Sequence, residues 1–565
     1  MTRRSEILDL ERDTTAEGGF HRPWPRTLWP LAGLLLGYLA YAAWFIQRSS
    51  FLLEGLRYYS LQDEAMISLQ YARNLVEGHG LVWMPGADAV EGFASPFLVG
   101  WMALFHLLPV PPSQVSLSLQ IGSAVVMALN LMFVFLVARE LAPDRTWIAL
   151  VAAGMTAFYL PLNLWGLMGT EVGPLLTAVS SALWLSLRAL RRKRFSPWPY
   201  LLLGAAIWIR LDALVPYFVI WAYQAKIDRQ HRKQHLIWGG LVLGVSLAFQ
   251  TALRQAYFGD AIPGWFRWKL TGTPVLLRLL RGAQVTMYFI YSFNWVLFLL
   301  PFLVIALDRS RVWILMGGLV VGILAFNIFV GGDTSEQLGG SNRYVSVAMP
   351  LFFIAFSWAL DFVLQHLPRP MGGYPRWREA MGPAVLVGAG AVSLLTFHAT
   401  RADEPNQVRL LSPSSTFSRN QRNVGLARFL NSISSPEATM ATVDAGAISY
   451  FSDRTTIDLL GRSDAIVLRG KARLDPSPSL GEIRQGFIKY DYDWSMDELK
   501  PDVVVELVPG SANEAQEFLE AYANVFLEEL KDYLPNGHFY LRIDSPYVKW
   551  DLVEPSQPAS GSGDE

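Results

Sequence analysis

Leu61-Gln62-Asp63-Glu64-Ala65 opens a polar stretch that closes at Gly92-Phe93, and it lies shortly after an apolar run from Leu28 to Ile46. That run approaches the ~20 residues a helix needs to cross the hydrocarbon layer of a bilayer. The stretch beyond it carries Arg57, Asp63, Glu64, Arg73, Asn74, Glu77, His79, Asp88 and Glu91, interleaved with Tyr58, Tyr59, Tyr71 and Trp83. Connections between elements are commonly about 4–6 residues long, so a loop this long and this polar reads as a functional surface held against a membrane.

Composition supports that setting. Of 565 residues 52% are hydrophobic, with 20 Trp and 32 Phe, as in a polytopic protein with aromatic anchors at the interfaces. A net charge of -1 gives no reason to expect nucleic acid. Without cysteine there are no disulfides, c-type haem attachments or thiolate metal sites. Residues 1–26 are polar and of mixed charge ahead of a full-length apolar run, which reads as a disordered cytoplasmic N-terminus before a retained first span.

Further apolar runs fall near 115–138, 147–160, 174–190, 198–225, 236–253, 287–307, 312–330, 344–364 and 382–398. Basic clusters set the orientation: Arg188 with Arg191 to Arg194, Lys226 with Arg229, Arg232 and Lys233, Arg309 with Arg311, and Arg369 with Arg376 and Arg378. The positive-inside tendency places all four in the cytoplasm. Pro96 to Leu108 is then a helix lying along the membrane surface. Residues 198–225 become a hairpin of two half-helices with its tip at Arg210-Leu211-Asp212, a break of the kind tolerated where it lines a cavity. The expectation is a polytopic α-helical membrane protein of about eleven embedded segments, N-terminus inside and C-terminus outside. The first outer loop (47–114), Pro161 to Gly173, the Arg210 tip, Arg254 to Gln284 and Gly331 to Arg343 share the outer face.

Composition changes after Thr400. Ala438 to Tyr450, Val503 to Val508 and His538 to Ile543 read as strands, with a helix from Asn513 to Leu530. The expected divisions are a membrane domain over 27–400, an extracytoplasmic α/β domain over 401–552, and a disordered tail over 553–565.

Several groups on the outer face could carry chemistry. Asp63 and Glu64 follow a span, where burial can raise proton affinity, and a carboxylate there can take a proton from an attacking hydroxyl. Alone, the pair reads more readily as capping charge for the helix starting at Ala65. Arg210 and Asp212 interrupt an apolar run; ionisable groups at that depth are functional or mutually paired. Trp265-Phe266-Arg267-Trp268-Lys269 mixes cations suited to phosphate with rings suited to sugars or lipid, and alone it reads as an interfacial belt. Gly331-Gly332-Asp333 with Gly339 to Arg343 is either a glycine-rich ligand loop or a plain turn. Glu171 reads first as a helix-start charge and His79 as an isolated acid, base or ligand. Asp444-Ala445-Gly446 suits a strand-ending turn. Eight His in 565 residues give no expectation of a metal cluster.

Asp63-Glu64-Ala65-x-Ile67, Tyr71 to Trp83 and Val90-Glu91-Gly92-Phe93 resemble the first outer loop of GT-C glycosyltransferases, in the subgroup that contains the terminal arabinofuranosyltransferases of mycobacterial cell walls. Tyr257 to Lys269, Gly331-Gly332-Asp333 with Arg343, and Asp444-Ala445-Gly446 with Asp458-Leu459-Leu460-Gly461 extend the likeness. It implies an inverting transfer of sugar from a polyprenyl-phosphate donor to a glycan or glycolipid acceptor, outside the cytoplasmic membrane of a bacterium. On that pattern Asp63 is the base and Glu64 assists. Arg210, Lys269 and Arg343 hold the departing phosphate, and Arg73, His79, Glu91, Glu171, Asp212, Trp268 and Asp333 bind substrate. Glu64 stands where the subgroup commonly has Asp, Gln70 where Arg is usual, and Thr334 where a bulky residue is commoner, so arabinose does not follow. No obligatory metal is implied, although a divalent ion beside Asp63 and Glu64 would be compatible. The rivals are a lipid-linked sugar or solute transporter, which calls for polar groups through the full depth and inverted repeats, and a catalytically dead scaffold.

Overall fold

A computed structural model of the chain describes residues 24–336, 338–366, 377–401, 410, 414–473, 480, 486–527 and 538–553. The expected disordered N-terminus, up to residue 23, and the tail from residue 554 lie outside them.

The first apolar run forms α1 (Trp24–Ser49), and a two-stranded antiparallel hairpin, β1 (Phe51–Leu53) with β2 (Leu56–Tyr58), leads into α2 (Asp63–Val76). The chain continues through α3 (Pro96–His106), α4 (Pro112–Leu141), α5 (Thr146–Phe158), α6 (Leu160–Gly166) and α7 (Val172–Arg191). Next come α8 (Trp198–Ile209), α9 (Leu214–Ile227), α10 (Arg232–Phe258), α11 (Gly264–Leu270) and α12 (Val275–Ser292). Helices α13 (Trp295–Asp308), α14 (Arg311–Val330), α15 (Arg343–His366) and α16 (Trp377–Arg401) complete the membrane domain. Among the described residues six helices, α1, α4, α7, α10, α14 and α15, are long and apolar enough to cross a bilayer. Two bent pairs, α5 with α6 and α12 with α13, raise that number to eight, so the protein is a multi-pass membrane protein.

The run 287–307, expected to be one straight span, is instead broken: α12 and α13 meet at 96°. Asn294 causes the break, with φ 74° and a side chain that caps the next helix by accepting from the Val296 amide at 3.2 Å. Asn is enriched among non-glycine residues at positive φ and its side chain competes for backbone donors, which hydropathy does not register. Residues 198–225 do form the expected hairpin. Tyr200, near the start of α8, donates to Gln224 near the end of α9 at 2.7 Å, so the two helices run back along each other and leave Arg210 to Ala213 as the tip. α3 is an 11-residue helix, too short to span, whose N-terminus is capped by Ser95 accepting from the Leu98 amide at 3.1 Å.

The C-terminal α/β domain begins with α17 (Ser415–Ile433) and holds a five-stranded sheet in the order β4-β3-β5-β7-β6. β3 (Thr439–Thr442) pairs in parallel with β4 (Thr455–Asp458) and β5 (Val503–Val504); β7 (His538–Arg542) is antiparallel to β5 and β6 (Tyr522–Phe526). Three expectations change, the first being the strand over Val503 to Val508, which is only the two residues of β5. The strand expected over Ala438 to Tyr450 ends at Thr442, and Ala445–Ser452 is helix α18, since small residues after the Asp444 turn start a helix as readily as they continue a strand. α19 (Ala465–Arg469) follows β4. The helix expected from Asn513 stops at Leu519 (α20, Ala512–Leu519), because Tyr522-Ala523-Asn524-Val525-Phe526 pairs along its whole length with β7 as β6; the last residues of the expected helix, 528–530, are not described.

The two domains share a core. Leu61, Ala65, Met66, Leu69 and Ala72 of the first loop pack with Val424 and Ala427 of α17 and Ala447 and Tyr450 of α18 in one apolar cluster. α2 is therefore the element against which the C-terminal domain is seated.

Candidate active site

A cleft of about 850 Å³, including its open mouth, lies between the membrane helices and the C-terminal domain. Glu64 and Ser68 of α2, Glu91 to Ser95 of the first loop, Glu171, the Arg210 to Asp212 tip, Trp265, Trp268 and Lys269 of α11, Arg343 and Tyr344 of α15, and Arg462 line it. Most come from a loop, the end of an element or a break in one, where side chains leave the apolar packing. At Gly264, the first residue of α11, an added Cβ would sit 1.9 Å from the Glu91 carbonyl oxygen. Only glycine permits that approach, which presses α11 and Lys269 against the first loop.

Four cations and four carboxylates share this wall. Arg343 sends Nε and Nη2 to the two oxygens of Asp333, each at 2.8 Å, and Nη1 to Glu64 at 2.5 Å. Lys269 reaches the same Asp333 at 2.6 Å. Arg210 pairs with Asp212 at 2.9 Å and Glu171 at 3.2 Å, and its guanidinium lies over the Tyr344 ring at 4.6 Å. Asp333 sits behind the wall; burial alone would push its proton affinity up, but Arg343 and Lys269 outweigh that and hold it well below the ordinary carboxylate value. The same contest keeps Lys269 charged: burial pulls it down and Asp333 raises it further. Arg210 Nη2 and two Lys269 hydrogens donate to none of the described residues, and both side chains line the cleft, so they are available to an anion there.

The two acids of the opening motif diverge. Glu64 accepts from Thr334 Oγ1 at 2.5 Å as well as pairing with Arg343; burial would raise it, yet Arg343 and Lys269 keep it below its ordinary value. Asp63 turns the other way, toward the C-terminal domain. Its Oδ1 accepts from the backbone amides of Gly446 and Ala447 at 2.9 and 3.2 Å, and Oδ2 lies 3.6 Å from Arg462. Burial, and then Asp444, push the Asp63 carboxyl up to about 7 against the opposing pull of Arg462. A carboxylate balanced near neutrality is a better proton acceptor than one held low by two cations.

The structure thus gathers Glu64, Glu91, Glu171, Arg210, Asp212, Trp268, Lys269 and Arg343 around one cleft, with Asp333 directly behind; Asp63 does not line it and is linked to it through Arg462, which does. It does not bring Arg73 or His79 there. Arg73 lies over the Tyr450 ring at 5.0 Å and reaches Asp453 at 3.5 Å, where it ties α2 to α18. His79 is exposed in a turn between Gly78 and Gly80, both with positive φ. Glu91 binds no exposed partner but is locked by Arg254 at 2.8 Å and by the Gly264 amide at 3.0 Å. Sequence reasoning passed over Arg254 and Arg462. Arg462 directly follows the Asp458 to Gly461 match, and that adjacency was the available signal; Arg254 sits in an apolar helix and offered none. Among the described residues no three His, Asp or Glu side chains converge to cage a metal, and Asp63 and Glu64 face different partners.

A family model described as dolichyl-phosphate-mannose-protein mannosyltransferase matches residues 94–252, and a domain of unknown function (DUF8728) matches residues 411–549. No curated protein matches the chain in sequence. Among solved structures, ArnT from Cupriavidus metallidurans in the apo state is similar at 14% identity and TM-score 0.51, covering 90% of this chain and 98% of its own. The archaeal oligosaccharyltransferase AglB from Archaeoglobus fulgidus, in complex with an inhibitory peptide and a dolichol-phosphate, is similar at 12% identity and TM-score 0.53, covering 95% and 77%. At such identities the likeness is one of architecture: the chain has the GT-C fold, with a C-terminal α/β domain.

Proposed function

We propose that the protein is an inverting glycosyltransferase that moves a sugar from a polyprenyl-phosphate donor to a glycan or glycolipid acceptor. The observation that carries this reading is the convergence of Arg210, Lys269 and Arg343, drawn from three distant stretches, on one cleft at the ends of membrane helices. Donors fixed in advance around a departing phosphate stabilise the charge that develops there without reorganising. The acceptor oxygen attacks the anomeric carbon, the bond from that carbon to the phosphate oxygen breaks with its electron pair going to the phosphate, and the acceptor's hydroxyl proton passes to Asp63. Glu64, already engaged by Arg343 and Thr334, serves the donor side.

The donor sugar is a pentose or hexose. Two of the departures from the arabinofuranosyltransferase pattern, Glu64 and Thr334, are bonded to each other, so the longer acid and the smaller neighbour behave as one paired exchange on the donor side. In the membrane the N-terminus lies in the cytoplasm and the C-terminal domain outside, in accord with the basic clusters at Arg188 to Arg194 and Lys226 to Lys233. The test is mass spectrometry of envelope glycans and of polyprenyl-phosphate sugars in a deletion strain, complemented by wild type or D63N. Loss of one glycan linkage with build-up of a lipid-linked sugar, restored by wild type only, is the expected result. An unchanged glycan profile would remove this reading and favour transport.

A further inference from the structure

Asp63 belongs to the membrane domain, but the groups that touch its carboxylate are supplied by the C-terminal domain. Gly446 and Ala447, at the first turn of α18, donate their backbone amides to Oδ1. An added Cβ at Gly446 would lie 2.0 Å from the Asp63 carbonyl oxygen and 2.7 Å from Oδ1, so the two chains meet backbone to backbone at that point. Arg462 approaches the other oxygen. It is not a wandering surface cation: Asp458 takes its Nε at 3.0 Å and its Nη2 at 2.9 Å, the Val443 carbonyl takes Nη2 at 2.7 Å, and Trp268 lies beneath it at 5.7 Å. With those donors spent, the remaining nitrogen, Nη1, projects to Asp63 Oδ2 and to the cleft.

We propose that the C-terminal domain completes the catalytic centre, and that Arg462, clamped by Asp458, is the positioning residue that keeps Asp63 ionised and aimed at the acceptor. The role rests on the glycosyltransferase reading, and it gives this domain a task beyond gripping the acceptor. Other charges face Asp63 from every side and set the balance Arg462 must tip. They are Glu64 beside it on α2, Arg419 and Arg422 of α17, Asp444 after β3, and Glu506 after β5, whose Oε1 accepts from the Asp444 amide at 2.9 Å. Burial and Asp444 oppose the ionisation of Asp63, and the clamped guanidinium is the foremost cation that favours it, beside the amide of Ala447.

The test needs no substrate. Full-length protein in detergent is titrated between about pH 4 and 9 while infrared spectroscopy follows protonated carboxyl groups, and the Asp63 band is the one that D63N removes. The wild-type midpoint is expected near 7. R462M should move it upward by about one unit or more, since an opposite charge at such range typically shifts a carboxyl by 1–3 units. R462K, which keeps charge but not the fork, should return it part of the way. Because R462M leaves Asp458 buried without its partner, R462M/D458N provides a second, charge-balanced variant with the same expected direction. A midpoint unmoved in both, or a band that D63N does not alter, overturns the proposal. Failure of wild type to transfer sugar, with the midpoint still moved by R462M, overturns the glycosyltransferase reading instead.

Discussion

Asp63 and Glu64 are neighbours in sequence and opposites in environment. One is lodged against amides and a single offset guanidinium, the other between Arg343 and Thr334. Only Asp63 holds its proton near neutrality, so transfer should rise as pH increases through about 7 and level above it, a profile measurable as kcat/KM in a reconstituted assay. D63N should lower transfer by at least ~100-fold at every pH without altering the elution profile of the purified protein, since general-base catalysis is worth roughly 10²–10⁴. Asp333 has a different task. It is buried and neutralises both Lys269 and Arg343, so D333A should destabilise the fold by on the order of 3–5 kcal/mol, seen as a lowered melting temperature in detergent, with D333N milder. Most of these residues were legible because charge is conspicuous against apolar sequence. Arg462 was only partly so: its clamp, Asp458, lies four residues before it within the matched stretch, but its contact is to a residue some 400 positions earlier, of which spacing along the chain carries no record.

At the scale of elements, breaks matter more than spans. The α8–α9 hairpin was readable because charge parity demanded it, and it puts Arg210 at a tip where its backbone is extended (φ -157°, ψ 140°). Its far end is fastened by Tyr200, which contacts both Gln224 and His235 at 2.7 Å. Y200F should therefore loosen the hairpin by about 1 kcal/mol per lost bond and weaken donor binding at a distance, raising KM more than it lowers kcat. The bend at Asn294 and the change from strand to helix at Ala445 were hidden, since one depends on a single dihedral and the other on tertiary packing against α2. G446A tests the second directly. With no room for a methyl group at that contact, it should separate α18 from α2 and abolish transfer, while limited proteolysis cuts the linker between the domains faster than in wild type.

For the whole molecule, the absence of cysteine makes topology accessible. A single cysteine introduced at exposed Glu54 should react with a membrane-impermeant maleimide on intact cells, and one at Arg192 only after lysis; the reverse would invert the orientation. The bilayer sorts the charges, and long-range folding then pairs them. Hydropathy reads where apolar runs and charges fall along the chain, whereas the pairing of Glu91 with Arg254 or Glu64 with Arg343 spans more than a hundred residues and leaves no periodic trace.

That wall of evenly matched charges has a consequence for turnover. On the proposed reading, a carrier phosphate arriving at Arg343 would meet a carboxylate, Glu64, already in place there, and would have to displace it; once the sugar had left, the same carboxylate would return as a rival tethered at high local concentration. The spent lipid would then be evicted by the protein's own anion. E64Q should consequently retain free polyprenyl phosphate more tightly, with stronger product inhibition and a lower steady-state rate after an undiminished first turnover.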